Sequence, residues 1–142
     1  MYERLTRLLP EFGGDNEYGE WVIDRKSKGT ANDPIQMPFV DYGGTVGSLM
    51  REIYAFEEEH PEYGLNRYND ILADSGIDWS TESMTEADVA RLDGKGVTAL
   101  ILGAVRADRF CEGALLEFCE NGCMARWLGR LKELDDSGNC NS

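Results

Sequence analysis

Arg106, Asp108, Arg109 and Glu112 form the densest polar cluster of a 142-residue chain, and they follow directly on its most apolar stretch. Two guanidinium groups three residues apart share one helix face and offer bidentate donor forks to a phosphate, a carboxylate or an acidic side chain. The same four residues also suit an inter-helix salt-bridge and capping network, with Arg109 and Glu112 as a second i, i+3 pair. Cys111 stands two residues past Arg109, and a positive neighbour lowers a thiol pKa towards reactivity. A nucleophilic cysteine also needs a base, most often His. The single histidine, His60, lies far along the chain among Glu57, Glu58, Glu59 and Glu62, which favour its protonated form. Cys111 is therefore read as a small buried apolar residue, with no catalytic residue assigned.

Other chemistry lacks its spacing. The chain has no phosphate loop, no glycine-rich dinucleotide fingerprint, no H-E-x-x-H and no G-x-S-x-G. Cys111, Cys119, Cys123 and Cys140 lack the C-x2-C pairs of structural zinc sites, so neither metal nor cofactor is expected. Gly94-Lys95-Gly96 is too short for a phosphate loop and reads as a turn. Trp21, Tyr42, Tyr54, Trp79 and Trp127 are expected in the core, because a stacking platform for nucleic acid also needs a basic groove.

Charge argues for a different kind of function. The formal net charge is −13, and positions 52–93 carry twelve acidic residues against only Arg67 and Arg91, a net −10. Such a field repels nucleic acid and acidic membranes and steers basic partners. Glu57, Glu58 and Glu59 close a helix with the wrong sign for its dipole, at about 0.3–1 kcal/mol each. That run, with Glu62, Asp70 and Asp74, is the expected partner-binding surface. The N-terminal run MYERLTRLLPEF has no apolar core of a signal peptide and no stretch reaches transmembrane length, so a cytoplasmic protein is expected.

The elements that position these groups follow from apolar periodicity. Val97 to Val105 (VTALILGAV) has no polar stripe, which requires protein on every side of the helix it forms. Around it the pattern predicts helices over Tyr2–Leu9 (Leu5, Leu8 and Leu9 inward, Arg4 and Arg7 outward), Thr45–Glu59, and Asn66–Ser75 with Asn66 as cap. Further helices are expected over Thr85–Leu92, from a capping box, and from Asp108 through a face of Phe110, Ala114, Leu115 and Phe118. The last runs from Cys123 to Leu134. Trp21–Ile23 and Met37–Tyr42 are extended and placed to pair as a short hairpin within 20–42. The whole is a mainly α fold: one domain over 1–134, about six helices around the 97–105 helix, and a disordered tail over 135–142.

The run Val105-Arg106-Ala107-Asp108-Arg109-Phe110-Cys111-Glu112-Gly113-Ala114-Leu115-Leu116, followed by Gly122 and Trp127-Leu128-x-Arg130-Leu131-Lys132, resembles the signature of a prokaryotic family known as domain of unknown function 6508. The resemblance extends upstream to Gly19-Glu20-Trp21, Met37–Tyr42, Tyr68–Leu72 and Gly76–Trp79. It implies a short intracellular protein of bacteria and mobile elements, without an established activity. Where such proteins often carry a polar cap before the second helix, this chain has Gly43. The expected function is a non-catalytic acidic protein that binds a basic protein partner, in its sharper form a phage or mobile-element inhibitor imitating nucleic acid. The rival is a small protein or enzyme that holds an anionic ligand with Arg106 and Arg109. A structural subunit of a larger assembly is the third reading.

Overall fold

The computed structural model describes residues 2–12, 18–22, 39–111 and 113–140. Among them the N-terminal segment forms two short helices, α1 (Glu3–Thr6) and α2 (Leu9–Phe12), instead of one closed by Pro10. Pro10 stands in the first turn of α2, where its missing N–H leaves no helical hydrogen bond unmade. Strands β1 (Gly19–Val22) and β2 (Phe39–Tyr42) pair antiparallel, with Gly19 opposite Tyr42 and Trp21 opposite Val40. The hairpin expected within 20–42 is thus present, while Ile23 and the connection after it lie outside the described residues.

Helix α3 (Gly44–Glu59) buries Val46, Leu49, Ile53 and Phe56, the i, i+3, i+4 face that its pattern requires. Gly43 precedes it without a side-chain cap. Two 3-10 turns, Pro61–Tyr63 and Leu65–Arg67, lead into α4 (Tyr68–Asp74). Asn66 falls inside the second turn and is not a cap. Gly76, at φ +76°, ends the α4 region in the left-handed conformation that glycine adopts most easily.

Helix α5 (Thr81–Glu86) replaces the helix expected over Thr85–Leu92. Its start is set by Ser80, whose hydroxyl accepts the Ser83 N–H at 3.2 Å, and it seats Met84 in the core. Asp88 then caps only a 3-10 turn, Val89–Arg91. Asp93 caps α6 (Gly94–Ala107) by accepting the Gly96 N–H at 2.9 Å, so Gly94-Lys95-Gly96 is the first turn of the central helix.

Every residue from Val97 to Val105 is buried, with α3, α4, α7 (Ala114–Glu120) and α8 (Cys123–Cys140) packed around them. Gly94 permits this enclosure locally, since a Cβ there would collide with the Tyr2 phenol. Between α7 and α8 Gly122 takes φ +86°, and the Asn121 carboxamide accepts the Cys123 N–H at 3.0 Å. Helix α8 continues through Cys140, past the expected start of a disordered tail at 135. Its Asp135 accepts the Tyr2 N–H at 2.8 Å, which ties the two ends of the fold together.

Candidate functional site

The cluster Arg106, Asp108, Arg109 and Glu112 divides in two. Asp108 faces β2 and α7: its Oδ1 accepts the Tyr42 hydroxyl at 2.6 Å and the backbone N–H groups of Gly113 at 3.0 Å and Leu115 at 3.3 Å. The Leu116 N–H in turn donates to Tyr42 Oη at 3.2 Å. A carboxylate from one side and a phenol from the other thus satisfy orphan donors of the first turn of α7. Asp108 caps this helix at a distance, because residues 108–110 form a turn and the helix begins only at Ala114. Burial, followed by the bond to Asp108, raises the Tyr42 phenol well above its ordinary pKa.

The two arginines meet on α3. The Arg106 guanidinium lies 5.5 Å from the Tyr54 ring centroid, a cation–π distance, and Arg109 Nη2 donates to Tyr54 Oη at 3.4 Å. Among the described residues, buried Arg106 Nε has no hydrogen-bond partner, and neither does Glu57 Oε2, one turn beyond Tyr54. Glu112 lies outside the described residues, and with it the expected Arg109–Glu112 pair.

The expected acidic surface is partly neutralised from within. Arg4 pairs with Glu59, His60 Nδ1 lies 3.0 Å from Glu62, and Arg67 lies 3.4 Å from Asp70. The Glu62 carboxyl is held below the usual range by its own backbone N–H and then by His60. Glu57 is half-buried, while Glu58 and Asp74 are exposed and have no ion-pair partner among the described residues. Further along, Asp78, Glu82 and Glu86 are exposed and unpaired among the described residues, and Glu86 and Asp88 line a groove of about 460 Å³ with Ser75, Gly76 and Arg91.

One carboxylate is drawn inside. Glu52 is only 5% exposed and accepts Arg4 Nη1 and Arg7 Nη2, each at 3.0 Å. Arg4 and Arg7, read as facing outward, therefore clamp α1 to α3. A buried carboxylate is tolerated only with such pairing. Apolar periodicity carries no signal for it, although the charge-opposed pairing of an Arg-rich N-terminal helix with an acidic α3 was available as a hint.

The surface around residues 109–113 overturns three burial expectations. Phe110 is 79% exposed and meets Trp79 edge-on at 5.5 Å, instead of joining the buried face of α7. Cys111 is exposed, not a core residue. Trp21 is 45% exposed and lies over Gly113, where φ is +89° and a Cβ would strike the indole. For Phe110 and Cys111 the cause is the turn over 108–110, which delays α7 by several residues and moves them off the helical face on which they were placed, whereas Trp21 is exposed with the rest of β1 after Gly19. Trp127, in contrast, is fully buried, and Tyr42, Tyr54 and Trp79 are half-buried. Cys119 and Cys123 are buried free thiols, and burial pushes the Cys119 thiol up to about 12. His60 packs on Phe56 and Tyr63, away from the Trp21 and Phe110 side chains that adjoin Cys111. Among the described residues no group of three or more His, Cys, Asp or Glu is arranged to hold a metal ion, and no helix is long and apolar enough to cross a membrane.

The fold and this surface define a mainly helical domain with a two-stranded antiparallel appendage and a polar turn after its buried helix. A family of unknown function (DUF6508) matches residues 69–137, from α4 into α8, so the resemblance noted in the sequence holds over those residues, just under half of the chain. No curated protein and no solved structure matches the chain.

Proposed function

We propose that the protein is a non-catalytic interaction module whose acidic 52–93 segment receives a basic protein partner. The observation that carries this reading is exposure. Of the twelve carboxylates in that segment all but Glu52 and Glu57 are exposed, and among the described residues arginines reach only Glu59, Asp70 and Asp88 of the exposed ones. Unpaired like charges raise the local field and leave it available to a cationic surface. Imitation of nucleic-acid phosphates is the sharper form of the proposal, and it requires a partner whose surface also binds nucleic acid.

The test is capture from a host lysate at low and raised salt, repeated with the variant Asp74→Asn, Asp78→Asn, Glu82→Gln, Glu86→Gln. The expected result is a partner retained at low ionic strength, released by salt and lost to the variant. Retention that ignores both salt and the four substitutions overturns the reading. Competition by duplex DNA for the captured partner separates imitation of nucleic acid from plain charge pairing.

A second reading is supported by the partnerless Arg106 Nε beside Tyr54, which leaves donor capacity for an anionic ligand shared with Arg109. A thermal-shift screen with nucleotides and phosphorylated metabolites tests it. A shift that Arg109→Lys abolishes supports a bidentate clamp, and a shift that survives Arg109→Lys dismisses it.

A further inference from the structure

A second surface, built from the hairpin and α7, lies outside the 52–93 segment. Trp21, Cys111, Gly113, Ala114 and Leu116 line a groove of about 470 Å³ together with Glu117, Glu120 and Asn121. Three features define what fits there. The indole of Trp21 is 45% exposed and held in place by its seat on Gly113. Both glutamates are exposed, and among the described residues no cation lies within ion-pair distance of either. The chain as a whole carries −13, which opposes occupation by a second copy of itself.

We propose that this groove binds a lysine or arginine side chain presented by a segment of a basic protein, with the cation on the Trp21 indole and its charge met by Glu117 and Glu120. An aromatic face and a carboxylate are complementary to the two parts of such a side chain, its apolar stem and its charged head. The apolar lining of Ala114 and Leu116 accepts the stem, and the amine or guanidinium pairs with the two carboxylates. This inference goes beyond the acidic-face reading and does not depend on it, since none of the groove residues belongs to 52–93.

The experiment follows the indole N–H resonances of the full chain by NMR during titration with a short alanine peptide carrying one central arginine. Matched peptides with lysine or with the uncharged isostere citrulline serve as comparisons, and Trp21→Phe assigns the resonance. The expected result is movement of the Trp21 signal with arginine and lysine but not citrulline, with Trp79 and Trp127 still. In Glu117→Gln/Glu120→Gln the apparent affinity falls by about tenfold or more. Unchanged Trp79 and Trp127 signals in that variant show that it is folded. In the neutralised Asp74, Asp78, Glu82, Glu86 variant the Trp21 response persists. An immobile Trp21 signal, an equal response to citrulline, or a response that survives the two glutamine substitutions overturns the inference. Loss of the response in the 52–93 variant as well assigns it to overall charge and overturns it equally, while leaving the acidic-face reading standing.

Discussion

Asp108 is the residue on which the polar turn depends, and its role is positional. One carboxylate oxygen accepts a phenol and two backbone donors, and hydrogen bonds to a charged group contribute more than neutral ones. Asp108→Ala is expected to cost about 1.5–3 kcal/mol in urea unfolding. Tyr42→Phe, which also strands the Leu116 N–H, should cost about 1–3 kcal/mol, and the double variant should cost less than the sum because the two share one network. The Tyr42 phenol has a raised pKa in the folded state, so its contribution is complete below the unfolded tyrosine value and fades as pH rises past it. Tyr2, raised mainly by burial and then by its bond to the Tyr63 hydroxyl, acts in the same direction. Stability measured from pH 7 upwards should therefore begin to fall near pH ~9, where the unfolded Cys119 thiol ionises, and fall more steeply from pH ~10, and Tyr42→Phe should flatten the steeper part. A fall of the same size in Tyr42→Phe would remove Tyr42 from this role. Gly113→Ala places a side chain at positive φ and against Trp21, at an expected cost of about 1–3 kcal/mol.

Among the elements, legibility followed the length of the apolar pattern. Helix α6 was plain because nine consecutive residues admit no solvent-facing side, and α3 and α8 were plain because their stripes run for three turns or more. The short elements were misplaced where local signals competed. Ser80 and Thr85 both resemble caps, and the choice fell to Ser80 because that start carries Met84 into the core. Phe110 and Cys111 looked like helical core because periodicity alone cannot register a turn whose cap comes from Tyr42, 66 residues away. Half of the candidate cluster, the two arginines, could be read as a pair from spacing, but their meeting on Tyr54 of α3 could not. At this scale the expectation is a cavity cost: Leu100→Ala and Leu102→Ala should each lose about 2–5 kcal/mol. Losses below about 1 kcal/mol at both positions would mean a site able to collapse, contrary to enclosure by four helices.

At the scale of the whole molecule, charge and burial are segregated. The buried helix supplies the packing, and the surplus carboxylates stand on α4, α5 and the turns around them, where few arginines answer them. If location matters beyond net charge, neutralising Asp74, Asp78, Glu82 and Glu86 should release a salt-sensitive partner. Neutralising four exposed acids elsewhere (Glu11, Glu20, Asp41 and Glu133) should not. Equal loss from both variants, read by the amount of partner retained, would reduce the effect to bulk charge.

Underlying the architecture is the enclosure of α6, which takes the apolar surface of that helix into packing and leaves recognition to groups outside it. Native-state amide exchange along Val97–Val105 tests it directly. Enclosure requires these amides to exchange only through global unfolding, with an opening free energy equal to that from denaturant melts. Exchange as fast as that of α1 or the hairpin would contradict a helix with protein on all sides.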